Sequence, residues 1–140
     1  MKILQLAIVA IVFGCLHSFA GEKSSLAGGV ILEGTSWKIT AAPDEASAKN
    51  GAEKFDDTIS FADGKFSSAA LARKGFKLAK YQGDFEEREA EFDLEQESES
   101  QGIAIWIGEL RGGKIAGRLQ WKKKDGTNLF FNFIGAKAAN

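Results

Sequence analysis

The side chains in this chain most able to do chemistry are three tryptophans (Trp37, Trp106, Trp121), a run of alternating carboxylates, and one arginine inside that run. An indole is a large apolar plate with a single N–H donor. Three of them turned to one interior either fill a core or line a cavity for an apolar or amphipathic ligand. The carboxylates are Glu87, Glu89, Glu91, Asp93, Glu95, Glu97 and Glu99, at every second position. On a strand they form one acidic stripe, suited to calcium or a cationic partner, or equally to a solvated outer face. Carboxylates about 7 Å apart along a straight strand cannot share one ion. Acid–base catalysis would need one of them in a pocket with a raised pKa, and the positions expected to face inward hold no carboxylate. Arg88 is the one charged candidate near the core, where it would bind an anion at the barrel mouth or stand as a rim residue.

The only Cys (Cys15) and the only His (His17) lie within the first twenty residues. That stretch has Lys2, an apolar run from Ile3 to Phe13, and a small-residue ending Ser18-Phe19-Ala20, which reads as a signal peptide. The run is short for a membrane span, which takes about 20 apolar residues. Cleavage after Ala20 leaves a chain with neither Cys nor His. Internal disulfides, Ser-His and Cys-His nucleophile pairs and zinc sites on those residues are then excluded. No catalysis, cofactor or metal is expected. Val12-Phe13-Gly14-Cys15 also resembles a lipobox, in which Cys15 would be lipidated and would anchor the chain to a membrane. Either route places the protein outside the cytoplasm, periplasmic or secreted in the first case and lipid-anchored in the second. Residues 1–20 are thus read as signal, 21–33 as spacer and 34–140 as the domain.

At 140 residues the chain supports one domain, and a net charge of −1 offers no basic footprint for nucleic acid or an anionic membrane. Sixteen glycines against one proline point to many tight turns. Eight strands are expected, over 35–41, 58–62, 65–72, 76–81, 87–97, 103–110, 114–122 and 127–134, with a short helix or long loop over Pro43–Glu53. Short linkers make them an all-β, eight-stranded antiparallel up-and-down barrel.

Apolar pattern fixes the hairpin registers, because a one-residue slip moves every side chain to the other face. A two-residue turn at Gly112-Gly113 pairs Leu110 with Ile115, Gly108 with Gly117, Trp106 with Leu119 and Ala104 with Trp121. A bulged turn at Lys124-Asp125-Gly126 pairs Trp121 with Leu129 and Leu119 with Phe131. Asp63-Gly64 sets Phe61 opposite Phe66 and Ile59 opposite Ser68. The third strand then turns Ser68, Ala70 and Ala72 inward, small residues that leave space beside three indoles. Ile103, Ile105 and Ile107 face outward, a ridge that would serve an oligomer or partner interface, and Lys122-Lys123-Lys124 reads as a charged hairpin tip.

Gly34-Thr35-Ser36-Trp37 at the first strand, followed by an eight-strand meander, resembles the calycins, the lipocalin and avidin-like barrels. Those carry Gly-x-Trp where this chain has Gly-x-x-Trp. The later pattern, Gly102-x-x-x-Trp106-x-Gly108, Gly117-x-x-x-Trp121, Asp125-Gly126 and Phe131-x-Phe133-x-Gly135, resembles that of bacterial lipocalin-like proteins. The resemblance covers residues 34 to 135 and implies fold more than function, since calycins include ligand carriers and protease inhibitors. The resulting expectation is an exported, non-catalytic barrel holding a small apolar or amphipathic ligand among Trp37, Trp106, Trp121, Ser68, Ala70 and Arg88. The alternative is a packed barrel whose outer surface binds protein, as an envelope interaction module or protease inhibitor.

Overall fold

The alternation of apolar and polar residues becomes nine antiparallel strands in a computed structural model, which describes residues 32–86 and 88–138. They are β1 (Thr35–Pro43), β2 (Phe55–Ala62), β3 (Lys65–Ser68), β4 (Ala79–Lys80), β5 (Gln82–Glu86), β6 (Glu89–Ser98), β7 (Gly102–Arg111), β8 (Lys114–Lys122) and β9 (Asn128–Lys137). Two short helices interrupt them, α1 (Glu45–Lys49) and α2 (Ala69–Ala72). The sheet order is β4-β3-β2-β1-β9-β8-β7-β6-β5, so β1 and β9 pair and the meander curls round on itself. The two sheet ends, β4 and β5, are consecutive in the chain and separated by Tyr81 alone, which leaves a nearly closed barrel. Residues 1–20, with Cys15 and the two processing sites, lie outside the described residues.

The three registers read from apolar pattern are present. Trp106 pairs with Leu119 and Gly108 with Gly117, Trp121 with Leu129, and Phe61 with Phe66. Gly112, Gly113 and Gly126 all have positive φ, as those turns require. The strand expected over 76–81 is replaced by β4 and β5, because only Ala79–Lys80 pairs with β3 while Gln82–Glu86 pairs with β6. The third strand ends at Ser68 rather than Ala72. Ser68 Oγ accepts from Leu71 N at 3.0 Å and so caps α2, whose Ala-Ala-Leu-Ala sequence favours helix. β2 starts three residues early, at Phe55, because the inward-facing Asp57 hides its apolar period.

Aromatic rings fill the interior. Phe61 meets Phe66, Tyr81 and Phe92 edge-on at 5.4, 4.9 and 5.1 Å between centroids. Trp106 continues the chain, 5.0 Å from Phe66 and 5.4 Å from Phe133. Phe61, Phe66 and Trp106 have no exposed surface. Each such side chain contributes about 1.5–3 kcal/mol by burial alone, whereas an isolated hairpin is marginal in water. The rings, more than the turns, hold the barrel together.

Glycines make room for these rings. A Cβ on Gly108 would lie 2.5 Å from Phe92 Cζ, and one on Gly117 would lie 2.7 Å from Phe133 Cζ while striking the Ile107 carbonyl oxygen. At the seam, Glu33 accepts from Tyr81 Oη at 2.9 Å and Gly64 N at 3.1 Å, and also from Asp63 N. Leu32, with no exposed surface, and Glu33 are therefore built into the barrel rather than into a spacer.

Gly117→Ala is expected to lower unfolding stability by about 2–3 kcal/mol, since its methyl group meets backbone that cannot yield. Gly126→Asn, at a turn with positive φ but open space, should cost only about 1 kcal/mol. Urea unfolding of both variants measures the difference, and equal effects would contradict the close strand approach.

Candidate functional site

The barrel separates the residues expected to share one interior site. Trp106 is in the packed core, where its Nε1 donates to Gln96 Oε1 at 2.9 Å and Gln96 Nε2 donates to the Lys77 carbonyl at 2.9 Å. Trp37 is buried and donates to Thr35 Oγ1 at 2.8 Å. Among the described residues no ring contact joins any two of the three indoles; Trp121 instead packs edge-on against Phe76. Ser68 is buried and committed to capping α2, and Ala70 is a half-buried residue of that helix rather than of a strand. Arg88 does not face inward. It is exposed in the β5–β6 turn, at the barrel end that also carries the 112–113 turn, whereas Trp121 lies toward the other end.

At that other end Trp121 and Ala70 do come together. The long connections 44–54 and 69–78 fold over the opening, with Leu71 and Phe76 buried beneath them. Lys77 N donates to the Glu97 carbonyl at 3.0 Å, and Ser98 Oγ to the Lys74 carbonyl at 3.1 Å, which fastens the second connection to β6. Between the two connections is a concavity of about 530 Å³ with an apolar floor of Phe55, Leu71, Trp121, Leu129 and Phe131. Lys54, Arg73, Lys74 and Lys123 stand on its rim, opposed by Glu53 and Asp56. The Lys74 and Lys123 ammoniums sit 5.7 and 5.6 Å from the centroid of the Trp121 ring, whose Nε1 donates to the Gln101 carbonyl at 2.6 Å. An apolar body with a polar end fits this arrangement: the floor removes apolar surface from water while the rim stays wet.

Asp57, expected to lie outside any strand, is the buried carboxylate that sequence reasoning missed. It faces inward from β2 at 7 % exposure and accepts from Thr58 N at 2.7 Å, Ala70 N at 2.8 Å and Ser68 Oγ. Burial raises its pKa above the usual carboxylate range, while those donors and the Arg73 charge pull it back. Its oxygens hold α2, the wall of the concavity, through Ala70 N and Ser68 Oγ. The clue in the sequence is Ser68-Ala69-Ala70-Leu71, a capped turn needing an acceptor for its free N–H groups.

The outer face carries a shallower trough of about 730 Å³ across β5 to β9, with Ile107, Ala116 and Arg118 on one side and Asp84, Glu91, Asp93 and Glu109 on the other. The stripe on β6 faces outward as expected, every second residue exposed; Glu87 lies outside the described residues. The isoleucine ridge also faces outward, with Ile103 and Ile105 half-buried and Ile107 58 % exposed. Among the described residues no group of three or more His, Cys, Asp or Glu side chains is placed to hold a metal. No known protein family, curated protein or solved structure matches the chain.

Asp57→Ala leaves two N–H groups and a hydroxyl without their acceptor and is expected to cost about 2–4 kcal/mol, whereas Asp57→Asn can keep all three contacts. The sign of the pH effect follows from the raised pKa. The folded protein holds this proton more tightly, so Asp57 contributes most below about pH 4 and less as pH rises through the raised value. The stability of Asp57→Asn relative to the parent should therefore increase between pH 4 and pH 7. A flat or falling difference in thermal unfolding would remove the role assigned to Asp57.

Proposed function

We propose that this protein is a non-catalytic exported barrel that binds a small amphipathic ligand at its capped mouth rather than along its axis. The observation that carries the reading is the half-buried Trp121 on an apolar floor, at the one barrel end where two long connections leave a concavity of about 530 Å³. The axis itself is occupied by Phe61, Phe66, Phe92, Trp106 and Phe133. The barrel is the architecture that the calycin resemblance implies, and small-ligand carriage is one of the roles found among calycins. Export rests on the reading of residues 1–20, with attachment through Cys15 as its lipid-anchored form.

A second reading places a protein partner, or a second copy of the chain, on the outer face. It is favoured by the exposure of Ile107 at 58 % and Ile134 at 59 %, on neighbouring rows of the same sheet face. That reading expects Ile107→Lys to abolish an association seen by sedimentation while leaving the mouth untouched.

The mouth reading expects saturable changes in tryptophan fluorescence when the protein is titrated with fatty acids, retinoid-like and aromatic compounds. Ala70→Phe, which projects a ring into the concavity, should weaken binding by about tenfold or more with little loss of stability, because Ala70 is only half-buried. If every compound leaves the fluorescence unchanged, or Ala70→Phe binds as the parent does, the mouth is not the site.

A further inference from the structure

We infer that the polar end of the ligand is an anion, seated on the rim beside the Trp121 ring where Lys74 and Lys123 stand. The inference rests on the mouth being a ligand site and adds the chemical class of what enters it. Two cations stand within 5.7 Å of one ring centroid, and among the described residues neither has a carboxylate within 4.0 Å. Each is attracted to the ring. An anion on this rim adds a charge-assisted contact to an ammonium that has no carboxylate partner.

The rest of the rim favours the same sign. Arg73 and Lys54 border the same concavity, so four cations face two carboxylates in a chain whose net charge is −1. One of those carboxylates, Asp56, already accepts from Thr40 Oγ1 at 2.9 Å. The carboxylate that feels Lys123 is Asp125, on the adjoining turn, and it is itself held by Thr127 N at 2.9 Å. Beneath the ammoniums the floor of Phe55, Leu129 and Phe131 is apolar. The ligand class is thus a carboxylate, sulfonate or phosphate on a compact apolar body.

The test uses three probes with one body and different heads: 1-naphthoate, 1-naphthalenemethanol and 1-naphthylmethylammonium. Binding to the full domain is followed by calorimetry and by the NMR signal of the Trp121 indole N–H. At low ionic strength naphthoate should bind about tenfold tighter than the alcohol, and the ammonium weakest. The preference should collapse in about 1 M salt, where the screening length is about 3 Å. The double variant Lys74→Gln/Lys123→Gln should lose the preference while binding the alcohol as before. Equal affinities for all three heads, or a naphthoate preference that survives the double variant, overturns the anion seat and leaves the mouth standing. If none of the probes moves the Trp121 signal, the mouth reading falls and the anion seat falls with it.

Discussion

The architecture depends on an exchange of volume at Gly108 and Gly117. These two residues face each other across β7 and β8, beneath the rings of Phe92 and Phe133. Removing both Cβ atoms lets the rings of Phe92 and Phe133 reach the space beneath, with Phe133 5.4 Å from Trp106. An alanine at either position would force the rings apart or push the strands outward. Because an interior at crystal-like density has no slack, ring placement and sheet curvature cannot be adjusted separately. In a barrel packed this way, rings occupy the axis.

The two ends differ for reasons of chain length. Two-residue turns such as Asp63-Gly64 and Gly112-Gly113 close one end and need only positive φ. The other end carries the long connections 44–54 and 69–78, and each must find partners for backbone groups that leave the ladder. They find them in buried polar side chains. Asp57 holds α2, and Gln96 and Ser98 hold carbonyls of the second connection, while Ser47 of the first ties it to β9 by accepting from Phe130 N at 2.7 Å. Leu71 and Phe76 add core burial to these hydrogen bonds, so the second connection is packed as well as tied.

Sequence alone was most informative where one face of a strand is buried, and least where contacts link distant connections. The registers of β7 with β8 and β8 with β9 were legible because a slip would bury Arg118, Gln120 or Asn132, and that of β2 with β3 because the two-residue Asp63-Gly64 turn sets Phe61 opposite Phe66. The cap was not. Ser68-Ala69-Ala70-Leu71 suits an inward-facing strand and a capped turn equally, and the residue that decides is Asp57, hidden as a polar interruption in β2. β5 escaped notice because Gln82-Gly83-Asp84 carries no apolar alternation, while β4 is a two-residue part of the strand expected over 76–81. Trp121 stood out from the start, but as part of an interior trio. Its real neighbours, Lys74 and Lys123, come from connections far apart in sequence and form no motif.

Charge is as unevenly distributed as packing. On the outer face Asp84, Glu91 and Glu109 stand directly opposite one another on β5, β6 and β7, a like-charge row that costs stability at each step. Arg111, 3.6 Å from both Glu89 and Glu109, offsets only the end of that row and is 60 % exposed. Such exposed pairs are worth well under about 1 kcal/mol, so the row keeps a negative field. The mouth has four cations to two carboxylates on its rim. On the reading proposed above, the acidic row need not bind anything to matter, because like charge on the sheet face favours the mouth as the seat of an anion.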